Sequence, residues 1–257
     1  MSPAYVLGNE QVMISIVLLV IASMYASVGH GGASGYLAIL SLTSFAVMED
    51  DWLKQHAWSL NLIVAGLAFY QFRKAGHHLP SLSIPFILGG FPMAFIGGFI
   101  EVNGGVYDSL LSGILVMAGL RLLFPVEANS PGRVEWGFSR CVTIGALIGL
   151  VSGLVGIGGG VLLSPLLIIL HVGSPKEVAA TSAFFIWVNS ASGLIGSTVA
   201  EGVLLDWGTL LPFSTAVLIG GFLGSRYGSS MASERGVRVM LSAVLLIAAS
   251  KRILSVF

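Results

Sequence analysis

Two glycine clusters interrupt apolar stretches of this 257-residue chain: Gly29-His30-Gly31-Gly32-Ala33-Ser34-Gly35 and Gly156-Ile157-Gly158-Gly159-Gly160. A glycine cluster that leads into a helix exposes backbone N–H groups with no intrahelical partner, at the positive end of the helix dipole. Without side chains in the way, an anion can approach that backbone closely. Gly31, Gly32 and Ser34 in the first cluster, and Gly158, Gly159 and Gly160 in the second, are therefore candidate ligands for an oxyanion held without buried Lys or Arg. Close helix packing accounts equally well for such clusters. It is the preferred reading for the stripe Gly145, Gly149 and Gly153. The second cluster is no nucleotide loop: GxxxxGK[ST] is absent, and Val161 stands where a third dinucleotide-binding glycine would be.

Hydrogen-bond donors near the clusters extend the candidate set. Thr181 and Ser182 open the apolar stretch after the second cluster, with Asn189 two turns further on; Ser59 and Asn61 take a similar place in the first half. Hydroxyls and amides donate to oxyanions, and they also make ordinary interhelical hydrogen bonds. His30 is the one ionisable side chain inside a glycine cluster, which makes it a candidate for carrying a coupled proton. A neutral, hydrogen-bonded histidine is the alternative, since Ile157 takes its place in the second cluster. His56, His77, His78 and His171 have no convincing metal-ligand spacing, so neither a metal nor a cofactor is expected. An intramembrane enzyme would need a convergent nucleophile and base, and none is seen.

The elements that carry these residues must be membrane helices. Only 9% of residues are charged, against about 25% in soluble domains, while 55% are apolar and the mean hydropathy is +0.93. A water-soluble globule of this size cannot hide so much apolar surface. Formal net charge is zero, so nucleic acid is a poor partner, and one cysteine, Cys141, permits no intrachain disulfide. Charge and turn breaks mark apolar segments at 11–28, 36–47, 57–72, 81–100, 106–120, 142–155, 161–171, 182–200, 207–223 and 239–249. The first lacks a basic flank and is read as part of the mature protein. Segments 36–47 and 161–171 are short for a crossing and read as half-helices of broken hairpins. Such backbone is tolerated in a bilayer only where protein or water surrounds it.

Basic residues orient the chain. Arg73 and Lys74, then Arg121, Arg133 and Arg140, then Arg226, Arg235 and Arg238 mark three loops expected to be cytoplasmic. The acidic loops at Glu49-Asp50-Asp51, Glu101 and 201–206 then fall outside; Lys54, Lys251 and Arg252 run against this assignment. A shift of 127 positions lays Gly29, Gly31 and Gly32 on Gly156, Gly158 and Gly159, and Pro85-Phe86 on Pro212-Phe213; a shift of 130 aligns 112–118 with 242–248. The expected fold is therefore an all-α polytopic membrane protein of two inverted-topology repeats, each an interrupted helical hairpin plus three transmembrane helices. Residues 1–125 form the first repeat, 126–139 a cytoplasmic connecting loop and 140–257 the second repeat. Inverted repeats with broken helices are a recurring plan of secondary transporters.

The stretch Ser152-Gly-Leu-Val-Gly-Ile-Gly-Gly-Gly-Val-Leu-Leu-Ser-Pro165, followed by Ala179-Ala-Thr-Ser182 and Asn189, resembles the TauE/SafE family of sulfite exporter-like membrane transporters. A weaker copy is Ala26-Ser-Val-Gly-His-Gly-Gly-Ala-Ser-Gly35, with Ala33 in place of Gly160 and no match to Pro165. The resemblance implies export of sulfite or a small organosulfur anion across a bacterial inner membrane. Its expected partners are a small anionic substrate and the lipid bilayer, with a homo-oligomer left open. The expected mechanism is alternating access, with an anion channel or uniporter through the same pore as the alternative.

Overall fold

The computed structural model describes residues 3–100 and 136–233, together with residues 236 and 239. The expected span 106–120, all of 239–249 but its first residue, most of the connecting loop, and Glu101, Arg121, Arg133, Arg235, Arg238, Lys251 and Arg252 lie outside the described residues.

Every regular element among the described residues is helical. In chain order these are α1 (Pro3–Ala26), α2 (Ala33–Leu40), a 3-10 turn at Ser44–Val47, α3 (Asp50–Lys74), α4 (Pro80–Phe99), α5 (Phe138–Val155), α6 (Gly160–Ile169), α7 (Pro175–Glu201) and α8 (Trp207–Arg226), which continues as a π turn over Tyr227–Met231. Among the described residues, α1, α4, α5, α7 and α8 are long and apolar enough to cross a membrane. α3 has the length, but it buries Lys54, Gln55, His56 and Asn61. α2 and α6 have eight and ten residues. At 1.5 Å per residue they reach about 12 and 15 Å, half or less of a hydrocarbon core about 30 Å thick.

Both short helices start for the same local reason. Their N-caps, Gly32 (φ 101°) and Gly159 (φ 83°), lie in the left-handed region, where an L side chain is strained. The chain therefore breaks at each cluster and re-enters a helix one residue later.

Two helix starts fall earlier than charge alone predicts. α7 begins at Pro175 and not at Ser182, because Ser174 and Glu177 form a capping box with Pro175 in the first turn. Thr181 and Ser182 are therefore inside the helix. α3 begins at Asp50 and not near Ala57, with Asp50 and Asp51 favourably placed in its first turn. Lys54 is consequently a buried residue of α3, its Nζ 3.2 Å from Asp51 Oδ1 and its stem against Gly156. The reading of the clusters as lying away from any buried Lys or Arg is corrected to that extent.

The helices pack across the two halves of the sequence. α1 pairs with α8 and α4 with α5; α3 packs on α7 and α8, and α4 on α7; α2 leans on α3 and α6 on α7. Each of these contacts has a counterpart in the other half, and α3 with α7 is the self-paired centre. The stripe Gly145, Gly149 and Gly153 on α5 presses on the backbone carbonyls of Phe86, Gly90 and Ala94 in α4. Gly220, Gly224 and Gly228 do the same to Leu19, Ser23 and Ser27 in α1. Lipid tails are as apolar as leucine, so close van der Waals approach of this kind is what holds membrane helices together.

Candidate functional site

The two glycine breaks meet at one side chain of α3. A Cβ on Gly31 would collide with Asn61 Oδ1, and one on Gly158 with Asn61 Nδ2. Asn61 Oδ1 accepts from the Ala33 N–H at 3.1 Å, so it satisfies a first-turn donor of α2, while Nδ2 donates to Ser190 Oγ of α7 at 2.7 Å. This pattern also decides which way the amide points. Tyr36 Oη donates to the Gly31 carbonyl at 2.7 Å, and its ring lies against Gly32. Ser34 Oγ is 3.1 Å from Tyr25 Oη.

A second chain of contacts joins the breaks through His30. Ser164 Oγ of α6 donates to Ser182 Oγ of α7 at 2.7 Å and lies 3.2 Å from His30 Nε2. Having given its only proton to Ser182, Ser164 can only accept from the ring, which puts the imidazole proton on Nε2. His30 Nδ1 is then an acceptor, and it has no partner. Gly160 lies flat against this ring: a Cβ there would come 2.5 Å from His30 Cδ2 and collide with Ile186.

Several buried polar atoms of α5 and α7 have no partner: Ser152 Oγ, Thr181 Oγ1, and both Oδ1 and Nδ2 of Asn189. A Cβ on Gly159 would stand 3.3 Å from Ser152 Oγ and 2.8 Å from the Phe185 ring. The other side of that ring faces Gly90, which also lies beside Asn189 Oδ1. Asn189 is 1% exposed and Thr181 0%. A buried polar group without a partner costs about 1–3 kcal/mol. Ser152 lies directly beside the Gly159 helix start, and Asn189 stands across the Phe185 ring from it.

This arrangement gathers His30, Gly31, Gly32, Ser34 and Asn61 with Gly158, Gly159, Gly160 and Ser182, and sets Asn189 one turn beyond Phe185. It leaves Ser59 apart: its hydroxyl donates to the Gln55 carbonyl of its own helix at 2.8 Å. His56 has a structural role, with Nδ1 2.8 Å from the Trp52 carbonyl and Nε2 accepting from the Asp206 N–H at 3.0 Å.

A family model described as "Sulfite exporter TauE/SafE" matches residues 14–252. The chain belongs to that family. It is 32% identical to the "probable membrane transporter protein y4hK" of Sinorhizobium fredii, over 95% of this chain and 99% of that one. To the "probable membrane transporter protein YunE" of Bacillus subtilis it is 24% identical, over 91% and 96% of the two chains. A shorter match, 31% identical over 59% of this chain and 60% of the relative, is to the "probable membrane transporter protein MJ0441" of Methanocaldococcus jannaschii. No solved structure matches at a significant level.

Reading this family member from its sequence overlooked Tyr36, Ser152, Ser164, Phe185 and Ser190 as site residues. Ser152 and Ser164 carried a signal, since they bracket the second cluster inside the motif. Ser190 and Phe185 carried none, because only the packing of α3 on α7 brings them to the breaks.

Proposed function

We propose that this protein is a secondary transporter that exports a small sulfur-containing anion, of the sulfite or organosulfonate class, by alternating access. The observation that carries the reading is the meeting of two glycine-led half-helix starts at Asn61, with Ser152 buried and unpartnered beside the second and Asn189 unpartnered across the Phe185 ring. Their donors and the dipole of α6 supply attraction for an anion without a full positive charge, so release need not break a tight ion pair. The "sulfite exporter" description of the family model supports the substrate class, and the names of the relatives support transport.

Residues 1–125 and 140–257 act as two repeats of opposite topology joined by 126–139. The matched helix contacts and the equivalent breaks support this, and the basic loops support the orientation in a bacterial inner membrane. Rocking of one repeat against the other exposes the anion to each side in turn. With a negative interior the membrane potential favours anion exit, by about 2.3 kcal/mol per charge per 100 mV. His30 is the residue that carries a coupled proton, if one is used.

The test is flux in proteoliposomes loaded with sulfite, thiosulfate, sulfoacetate or taurine. Saturable efflux with counterflow is expected for at least one of them. Gly159→Leu, which puts a side chain into the left-handed cap and the Phe185 ring, abolishes that flux while folded protein remains in the membrane. Single-channel currents would replace the carrier with a pore, and normal flux in Gly159→Leu would remove the second break from the site.

A further inference from the structure

A cleft of about 690 Å³ lies between α3 and α7 near the α3–α4 turn, away from the glycine breaks. Its apolar walls are Gly66 and Phe69 of α3 and Phe184 and Trp187 of α7. Phe69 and Phe184 stack with ring centres 4.4 Å apart, and Phe184 continues to Trp187 at 6.4 Å. At one end the walls become polar. Arg73 stands two turns along α3 from Gly66, about 10 Å by helical rise, and His78 lies edge-on to Phe69 and Phe184 at 5.0 and 5.6 Å. His78 Nε2 is 2.9 Å from Ser83 Oγ. Burial first, and the Arg73 charge second, push this imidazole below its ordinary value, so it is neutral near pH 7. Among the described residues, Arg73 is then the one formal charge in the lining, no carboxylate lines the cleft, and Arg73 has no ion-pair partner.

The apolar end does not close on the protein interior. It runs onto an outward stripe of α7 in which Trp187 is 41%, Ile195 52% and Val199 61% exposed, at helical spacing. A cation at the end of a membrane helix, above aromatic walls that continue as an apolar exterior stripe, is shaped for an amphiphile lying along the helix. A water-soluble anion would leave the aromatic walls unused, and a neutral lipid would leave the guanidinium without a counter-charge. We infer that α3 and α7 form a binding site for an anionic phospholipid, with its phosphate on Arg73 and one acyl chain over Phe69, Phe184 and Trp187. The site is separate from the glycine breaks and independent of what the protein transports.

The test uses the full-length protein in neutral detergent, titrated with phosphatidylglycerol or phosphatidylcholine of matched chains. Bound lipid is read by native mass spectrometry and the unfolding temperature by a thermal scan. Phosphatidylglycerol is retained and raises the unfolding temperature more than phosphatidylcholine does. Arg73→Gln weakens phosphatidylglycerol binding about fivefold, the weight of one basic residue near an anionic headgroup, and erases the difference between the lipids. Lys74→Gln keeps that difference, because the Lys74 ammonium lies 6.0 Å over the Tyr70 ring and not in the cleft lining. Gly66→Leu, whose Cβ would come 3.2 Å from Trp187 Nε1, weakens binding of both lipids. Equal effects of the two lipids on the unmodified protein, an intact preference in Arg73→Gln, or an equal shift from chain-free glycerol phosphate would each overturn the assignment.

Discussion

The two glycine breaks share a backbone plan and differ in how their polar groups are satisfied. At the first, Asn61 is fully engaged: it accepts from Ala33 at the start of α2 and donates to Ser190. Tyr36 and Tyr25 tie down Gly31 and Ser34. On the side of the second, Asn189 of α7 lies 128 positions after Asn61, and both ends of its amide are unpartnered, as is Ser152. Apart from His30 Nδ1, the polar side chains of the first break are paired within the protein, whereas those of Ser152 and Asn189 are not. The starts of the two long helices that follow each break also differ: α7 has a capping box and α8 is capped by Asp206, whereas the N-caps of α3 and α4, Glu49 and Leu79, make no side-chain cap.

The sharpest way to break this comparison is to truncate the two asparagines. Asn61→Ala strips a partner from Ala33 N–H and Ser190, and is expected to cost about 1–3 kcal/mol of stability. Asn189→Ala removes groups that bond nothing within the protein, so it is expected to cost less stability than Asn61→Ala. Anion affinity is expected to fall roughly tenfold, the weight of one hydrogen bond to a charged group. Thermal unfolding and substrate-dependent flux, measured side by side, decide the matter. Equal loss of stability in both variants would end the distinction between the two asparagines.

A smaller effect is expected at the bridge between the breaks. Ser164→Ala severs His30 from Ser182 and is expected to cost about 1.5 kcal/mol. If His30 carries a proton, the pH profile of flux shifts as well; an unchanged profile with lowered stability would leave Ser164 a purely structural link.

The smallest effect concerns the helix starts. Asp206 Oδ1 and Oδ2 accept from the Gly208 and Thr209 N–H groups, and Thr209 Oγ1 donates to Oδ2 at 2.6 Å. The Thr209 hydroxyl above all, with the Gly208 and Thr209 N–H groups and the nearby His56, holds the Asp206 carboxyl below its ordinary value against the opposing effect of burial, which ranks second. A depressed carboxylate contributes stability above its unfolded pKa of about 4, and that contribution is lost as pH falls through the lower folded value. Asp206→Ala is expected to cost about 1 kcal/mol. Asp206→Asn is expected to keep the cap and lose the acid sensitivity, which unfolding followed between pH 3 and 7 will show.

Much of the helical order was legible because apolar length and glycine breaks are local properties. The half-helices after Gly32 and Gly159 begin where the clusters end, since left-handed backbone is open to glycine and strained for other residues. Helix starts at Asp50 and Pro175 were read too late, because charged residues were taken as loop when they are first-turn and capping residues. The stripe Gly220, Gly224 and Gly228 went unread because its partner carbonyls on α1 are far away in sequence. The sequence alone determined that this is a helical membrane protein whose chain breaks at two glycine clusters, because hydropathy and glycine act within a few residues. Only the tertiary structure decided that Asn61 sits between the breaks, that Asn189 is left open, and that Ser164 joins His30 to Ser182. Those outcomes depend on which faces of α3, α6 and α7 meet, and packing across the two halves sets that.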